Sequence, residues 1–538
     1  MAGLIRGPWQ LGRQTIHPAL QRSAAATVTT SATRTSYAKH RYVGACGGLD
    51  SQNRHRSTPS YQQQQQQQQL RFQHSEALIG SPDYRLLRLA EREEVHVEQW
   101  MQNYTRLGMS ISTVNSKVPL SADLFHSALK HTANKVPCLR LAIKEVFGKL
   151  WVAEVDNMDI DFKMIKHRKI DKVLEHIKDE GVNNYPWSVW VMPAQKDEPC
   201  PIPEMGEAFP HQYNLILKQN VFMDGYSMAR TLRCIVECLE DLVTGKPIDD
   251  RSPIGRYSRG DELLGRKVDI KKALKNDPDR LEREKEWLMS TFKSPLLYEA
   301  FPMPSNVENV TTKHIVKKVE TDLLNAFHSK CKSIGVSISS GLLEVFNAAT
   351  VEMVQDAGVR QEGYQLVVGH YVNMRRYLLA NPKDVLGSFI GKMHQSMHCS
   401  ANTRKDFWEN AKDIHENFHA LIKQDGPTME ECVRDMVFPP IDPDEFVQTT
   451  PTKDERDYAF SNLMDLTPTL FNNGKYVQHT NIVAVNYNHN YTHPILYEFQ
   501  TYHGFSHLTG NYDTSKLTDD TANELMDRIM GVLRSVSS

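Results

Sequence analysis

One short stretch of the chain, Gln219-Asn220-Val221-Phe222-Met223-Asp224-Gly225, places an acid, two amides and a glycine close together. It follows the apolar run 213–217, which is too short for a globular helix and is therefore predicted to be a buried strand. After Gly225, apolar residues recur at helical spacing as far as Val243, and Gly245 ends the pattern. Because this turn joins a strand to a helix, we expect its side chains to lie in front of the strand's carboxyl end.

The side chains of this stretch can position a substrate, but its amides cannot act as a base. An amide donates and accepts hydrogen bonds and does not take up a proton near neutral pH. Elsewhere the sequence has no Cys-x-x-Cys pair, Walker A loop, dinucleotide fingerprint, Gly-x-Ser-x-Gly elbow or metal-ligand spacing. We therefore expect no metal and no resident cofactor.

Two further patterns flank the turn along the chain. Upstream, a predicted helix precedes Pro137-Cys138-Leu139-Arg140, which leads into a pair of predicted strands, 139–143 and 149–155. Downstream, the predicted strand 366–372 leads to the basic pair Arg375-Arg376, followed by a glycine-containing turn. These patterns would place a helix, a hairpin and a pair of cations around the turn.

Together, the three patterns resemble the chloramphenicol-acetyltransferase-like superfamily of CoA-dependent acyltransferases, which includes peptide-synthetase condensation domains and alcohol acyltransferases. The superfamily motif is His-His-x-x-x-Asp-Gly after a strand, and its second His is the general base that deprotonates an acceptor hydroxyl or amine. Asp224 and Gly225 match this motif, whereas Gln219 and Asn220 stand at the two His positions. The resemblance implies that Asp224 is structural and pairs with Arg375, with Arg376 as the alternative partner, and that Gly225 permits the turn.

The resemblance covers roughly residues 80–538 and implies an α/β fold. We expect two chloramphenicol-acetyltransferase-like lobes, each a mixed sheet covered by helices, with an active-site cleft or tunnel between them. The expected boundaries are 76–290 for the first lobe and 291–538 for the second.

Residues 1–75 are expected to lie outside this fold. They contain no acid before Asp50, several arginines and the glutamine tract 62–69. This composition is typical of a mitochondrial transit peptide or of a disordered tail on a cytoplasmic protein. Both localisations remain open at this point.

The overall composition excludes some classes of partner. The formal net charge is −2 and 40% of the residues are hydrophobic, which is ordinary for a globular protein and gives no basis for nucleic-acid binding. No apolar run approaches the ~18 residues of a membrane-spanning helix, so we expect no membrane span. The sequence does not specify an oligomeric state.

Histidine is the natural substitute for the missing base, because it titrates near neutral pH. Two candidates could face the cleft between the lobes, namely His370 on the strand before Arg375 and His503 near the C-terminus. The alternative for each, which the sequence favours, is a structural or surface histidine.

Two functions follow from the resemblance. The first is a CoA-dependent acyltransferase with acyl-CoA as co-substrate and a small-molecule hydroxyl or amine as acceptor, in which Gln219 and Asn220 position the acceptor. The second is a non-catalytic pseudoenzyme that uses the same fold to bind acyl-CoA, a lipid or a protein partner. Position 220 distinguishes them, because a positioned general base contributes roughly 10²–10⁴ in rate.

Overall fold

The fold is built on two large mixed β-sheets, one in each half of the chain. The structure is a computed structural model, and it describes residues 84–91, 94, 107–156, 160–166, 169–179, 186–195, 198–305, 307, 309–379, 381–438, 456–487 and 493–538. All of them belong to one unit, residues 76–538. The expectations for residues 1–75 lie outside the described residues.

The five-stranded sheet of the first lobe has the order β14-β2-β7-β6-β5, in which β14 (Val477–Tyr487) comes from the second half of the chain, and a three-stranded sheet has the order β1-β4-β3. Helices α1 and α4 pack against each other and contribute to the apolar core of this lobe. The elements of this half are β1 (Tyr84–Leu89), β2 (Leu107–Ser116), α1 (Ala122–Lys135), β3 (Leu141–Val146), β4 (Lys149–Val155), β5 (Asp161–Met164), α2 (Ile170–Asp179), β6 (Ser188–Pro193), α3 (Pro203–Ala208), β7 (His211–Lys218), α4 (Gly225–Thr244), β8 (Arg256–Tyr257), α5 (Asp261–Asn276) and α6 (Pro278–Ser290).

The second half forms a six-stranded sheet in the order β12-β10-β13-β15-β16-β9. Its elements are β9 (Thr312–Val319), α7 (Thr321–Ile334), α8 (Ile338–Asp356), β10 (Gly363–Asn373), β11 (Val385–Leu386), β12 (Ile390–Ser400), α9 (Phe407–Lys423), α10 (Gly426–Val437), β13 (Tyr458–Asp465), α11 (Thr467–Leu470), β14 (Val477–Tyr487), β15 (Ile495–Tyr502), β16 (Phe505–Asp513) and α12 (Asp519–Ser537). The expected architecture, two helix-covered lobes with mixed sheets, is confirmed.

The hairpin predicted after Pro137 is present but begins later than expected. Pro137–Arg140 forms a 3₁₀ turn, and the first strand starts at Leu141 rather than at position 139. Proline has a fixed backbone φ and suits the first position of such a turn. The strands β3 and β4 then pair antiparallel, as the sequence predicts.

The two faces of the second sheet differ in polarity. One face carries side chains such as Val368, Tyr497 and Phe499, which pack in the same core as helix α8. Most of α8 is buried, because this helix lies among the sheet, α9 and α12. This helical layer contains the apolar core of the second lobe.

Strand β14 comes from the second half but forms the edge of the first sheet. Its backbone is met by polar side chains of the second sheet: the Asn486 N–H donates to Asn511 Oδ1 at 3.1 Å, and the Tyr502 hydroxyl donates to the His479 carbonyl at 3.2 Å. An edge strand exposes unpaired N–H and C=O groups. The polar face of the second sheet therefore satisfies the edge of the first and joins the two lobes.

No single described helix has the length and apolar character needed to cross a membrane. Among the described helices, one pair, α7 and α8, passes that test when the two are taken together, with a bend of 106° between them.

Candidate functional site

The motif turn caps the helix that follows it. Asp224 is the N-cap of α4 and its Oδ1 accepts a hydrogen bond from the Ser227 N–H at 2.9 Å. This bond satisfies one of the free amides at the helix start. A Cβ at Gly225 would lie 3.0 Å from Leu463 Cδ2, so a larger residue would press on strand β13. Asp224 thus caps α4, and the absence of a side chain at Gly225 leaves room for Leu463.

Asp224 also forms a buried ion pair with Arg375, the partner that the resemblance implies. The guanidinium donates to Oδ2 at 2.5 Å and to Oδ1 at 3.0 Å, and the two side chains are 4% and 3% exposed. The Phe389 N–H donates to the same carboxylate at 3.0 Å. A bidentate contact of this kind holds the start of α4 against the segment that leads into β12.

Arg375 makes further hydrogen bonds beyond the ion pair. Its guanidinium donates to the Val385 carbonyl at 3.1 Å, to Ser227 Oγ at 2.9 Å and to the Gly387 carbonyl at 3.0 Å. The rings of Tyr226 and Phe389 each lie 4.7 Å from its central carbon. Most of the Arg375 guanidinium is therefore committed to structural contacts within the protein.

Gly387 is required for this arrangement. Its backbone φ is +150°, and a Cβ at this position would lie 2.6 Å from the Ser258 carbonyl oxygen. Only glycine combines this conformation with such close approach of another backbone. The Gly387 carbonyl and N–H both bond Ser227 Oγ, so the loop is fixed on helix α4.

Asn220, at the position of the general base, is held at both ends of its amide. Its Nδ2 donates to the Cys138 carbonyl at 2.8 Å, and its Oδ1 accepts from the Phe222 N–H at 3.1 Å. Asn220 is 1% exposed, and the neighbouring residues Val221 and Met223 are also buried. In this structure position 220 does not open onto a cleft, and its amide is occupied by backbone groups.

Gln219 lies against the end of strand β2. A Cβ on Gly108 would be only 2.0 Å from Gln219 Nε2, so the glutamine side chain crosses the space that a larger residue would fill. The Gln219 N–H also donates to the Gly108 carbonyl at 3.1 Å. Gly108 in turn pairs with Asn486 of β14. The three residues thus form a row across the end of the first sheet.

His370, one of the two histidines that could have faced the cleft, points away from the junction of the lobes. Its Nε2 bonds Gln395 Oε1 at 3.0 Å and its ring packs 5.1 Å from the ring of Phe418 on α9. Burial lowers the pKa of His370 to about 4. Its side chain is on the helical face of β10, because side chains alternate between the two faces of a strand.

His503 lies at the opposite end of the first sheet from the turn. It occupies a β-turn between β15 and β16 with φ +48°, and burial lowers the pKa of its imidazole. The neighbouring Tyr502 contacts the carbonyl of His479, six residues along β14 from Val485. Val485 pairs through β2 with Lys218, which puts roughly 20 Å between His503 and the turn.

A buried acid at the motif end of the sheet was not expected from the sequence. Glu498 is 3% exposed and accepts hydrogen bonds from Asn486 Nδ2 at 2.6 Å and Asn511 Nδ2 at 2.9 Å. Burial raises the pKa of its carboxyl. It joins the row of Gln219, Gly108 and Asn486. The alternation of polar residues in β15 and β16 was the available signal, but only the pairing with β14 brings it to the turn.

Within the described residues, no group of three or more His, Cys, Asp or Glu side chains is arranged to hold a metal ion. The site therefore consists of the buried Asp224–Arg375 ion pair, the bonded amide of Asn220, the Gln219 side chain beside Gly108 and the enclosed Glu498.

Comparison with known proteins adds the fold relationship. No protein-family model and no curated protein sequence matches the chain.

Three solved structures have a fold similar to that of this chain. Trichothecene 15-O-acetyltransferase TRI3 from Fusarium sporotrichioides is 11% identical with a TM-score of 0.60, covering 84% of this chain and 95% of that chain. The condensation domain from Monacolin K polyketide synthase MokA is 10% identical with a TM-score of 0.56, covering 84% and 97%. Polyketide synthase associated protein 5 from Mycobacterium tuberculosis is 13% identical with a TM-score of 0.57, covering 85% and 99%.

At these identities the likeness establishes the fold and not the activity. The chain has the two-lobed α/β fold shared by condensation domains and chloramphenicol-acetyltransferase-like acyltransferases.

Proposed function

We propose that this protein binds an acyl thioester such as acyl-CoA and does not transfer its acyl group. The observation that carries the proposal is the state of Asn220. Its amide is bonded at both ends to the backbone, and the residue is 1% exposed. A group in this position neither accepts a proton nor reaches a substrate.

The contacts around Asp224 are consistent with a protein that has the acyltransferase fold but does not catalyse acyl transfer. The carboxylate is bonded to Arg375, to the Ser227 N–H and to the Phe389 N–H. These contacts position a turn and join two halves of a chain whether or not a base is present. The structures with the same fold include a 15-O-acetyltransferase and condensation domains. We therefore propose an acyl donor as the class of ligand for this chain.

Binding without turnover is tested with the full-length chain and a panel of acyl-CoAs of increasing chain length. Titration calorimetry measures the dissociation constants, and mass spectrometry of the recovered ligand measures whether the thioester survives overnight incubation. We expect saturable binding with the thioester intact in the presence of simple alcohols and amines. Absence of binding across the panel would contradict the proposal.

A second candidate is acyl transfer with Glu498 as the base. It is favoured by one observation: a buried carboxyl bonded to Asn486 lies on the row that includes Gln219. The raised pKa of this carboxyl is the direction that a base working near neutral pH requires. Heat-labile thiol release that is abolished in Glu498→Gln, with acyl-CoA binding retained, would establish this candidate instead.

A further inference from the structure

A surface cavity lies directly beside the Asp224–Arg375 pair. Its volume is about 250 Å³ and it is lined by Tyr226, Asn373, Arg375, Arg376, Pro382 and Lys383. Arg375 also donates hydrogen bonds to the Val385 carbonyl, Asp224 and Ser227 inside the protein. The other residues come from the first turn of α4, from the end of β10 and from the segment between β10 and β11.

Two cations at this cavity are available to a ligand. Arg376 and Lys383 are exposed, and within the part of the chain that the structure describes neither side chain forms an ion pair or a hydrogen bond. A third cation, Arg230, is held next to them by the Lys383 carbonyl at 2.8 Å. The nearby acid, Asp384, accepts from Asn381 Nδ2 at 2.9 Å. Positive charge therefore exceeds negative charge around the opening, on a chain whose formal net charge is −2.

The wall of the cavity is held in place. The Tyr226 hydroxyl donates to the Lys383 carbonyl at 3.0 Å, and the Tyr226 ring stacks on the guanidinium of Arg375. The Lys383 N–H donates to Asn381 Oδ1 at 3.2 Å. The cations are thus carried on a fixed backbone, which lowers the cost of ordering them around a ligand.

We propose that this cavity binds a phosphate group, and that under the function proposed above the group is the phosphorylated nucleotide end of an acyl-CoA. An arginine fork matches the geometry of phosphate oxygens, and a lysine ammonium adds a second charge. Asn373 uses its Oδ1 to accept from the Arg375 N–H at 3.0 Å, so the oxygen end of its amide faces inward. The identification with acyl-CoA rests on the proposed function, whereas phosphate recognition rests on the cavity alone.

The test is titration calorimetry on the full-length chain with three probes: adenosine 3′,5′-bisphosphate, an acyl-CoA and the matching acyl-pantetheine, which has no phosphate. The Arg376→Ala/Lys383→Ala variant removes two exposed charges without disturbing a packed group. We expect it to weaken bisphosphate and acyl-CoA binding by about tenfold or more and to leave acyl-pantetheine binding unchanged. Binding of the bisphosphate should also weaken as salt is raised.

The matched control is Lys412→Ala/Arg534→Ala, which removes the same charge from exposed positions on α9 and α12. It should bind all three probes like the unaltered chain. Equal weakening in both double variants would show a general charge effect and overturn the inference.

The outcomes separate this inference from the proposed function. Acyl-CoA binding that is unchanged in Arg376→Ala/Lys383→Ala would overturn the phosphate site and leave the proposed function standing. Bisphosphate binding that needs the two cations, without any acyl-CoA binding, would support the phosphate site and contradict the proposed function.

A lipid headgroup carries the same phosphate chemistry, and Leu379 beside the cavity is 92% exposed. Co-sedimentation with phosphatidic acid vesicles distinguishes this source. Charge-dependent vesicle binding without bisphosphate binding would overturn the assignment to a soluble nucleotide.

Discussion

Asp224 and Asn220 lie four residues apart in one turn, and both are buried, with exposures of 3% and 1%. Asp224 is held by a charged residue from the other half of the chain, whereas the Asn220 amide is held by two backbone groups of its own half. The first contact joins the lobes, and the second shapes a loop. Asp224 therefore has the structural role of joining the two lobes. Position 220, where the superfamily has its general base, serves here only to hold the backbone of the loop.

The largest effect is expected from breaking the ion pair. Asp224→Ala leaves the Arg375 guanidinium buried beside an uncharged side chain, and we expect a loss of roughly 3–5 kcal/mol in the free energy of unfolding. Urea unfolding followed by circular dichroism measures it. The double variant with Arg375→Ala should lose less than the sum of the two single losses. An unchanged melting curve for Asp224→Ala would remove the structural role of the pair.

Glu344 offers a second contrast with Asp224, because its carboxyl is also buried but is bonded by amides instead of a cation. Glu344 is 0% exposed, is bonded by the amides of Asn410 and Asn347, and burial raises the pKa of its carboxyl from 4.5 to about 8. Between these two pKa values the unfolded chain releases a proton that the native chain keeps, so this residue lowers stability as pH rises from about 4.5 to 8.

Glu344→Gln removes this titration. We expect the variant to be more stable than the unaltered chain by roughly 2–4 kcal/mol at pH 8 and to show little difference near pH 4.5. Thermal unfolding at a series of pH values measures the change. A difference that does not depend on pH would show that the carboxyl ionises normally in the folded protein.

Gly387→Ala tests the loop that receives the ion pair. The added methyl meets the Ser258 carbonyl oxygen at 2.6 Å in a backbone conformation that favours glycine. We expect a loss of roughly 2–3 kcal/mol. The matched control is Gly265→Ala, where a Cβ meets no atom within 4 Å. Equal stability of the two variants would indicate that the loop moves freely away from Arg375.

The smallest of these effects is expected at Asn220. Asn220→Ala leaves the Cys138 carbonyl and the Phe222 N–H without their partner, and we expect a loss of roughly 1–2 kcal/mol. Asn220→Asp keeps an acceptor for Phe222 but buries a carboxylate against the Cys138 carbonyl oxygen, so it should be no more stable than the alanine variant. Full stability of Asn220→Ala would show that the amide is not a structural bridge.

The fold and part of the site could be predicted from the sequence because their signals are local. The strand, the turn and the helix around Asp224 follow from apolar spacing and capping, and the resemblance supplied Arg375 as the partner. The contact of Asn220 with Cys138 could not be predicted, because it joins positions 82 residues apart and leaves no pattern in either segment.

The orientation of His370 could not be predicted for a different reason. A shift of one residue in strand register moves every side chain to the other face of a sheet. The register of β10 against β12 and β13 places His370 on the helical side, and that register depends on contacts across the whole second half.

The most direct test of the central claim is free thiol release from acyl-CoA by the full-length chain, with alcohols and amines as acceptors and with Asn220→His in parallel. We predict that the unaltered chain releases no thiol above buffer. If the Asn220→His variant releases thiol and the unaltered chain does not, the general base is the one catalytic group that the unaltered chain lacks. Heat-labile release by the unaltered chain would contradict the account and show that a group other than residue 220 acts as the base.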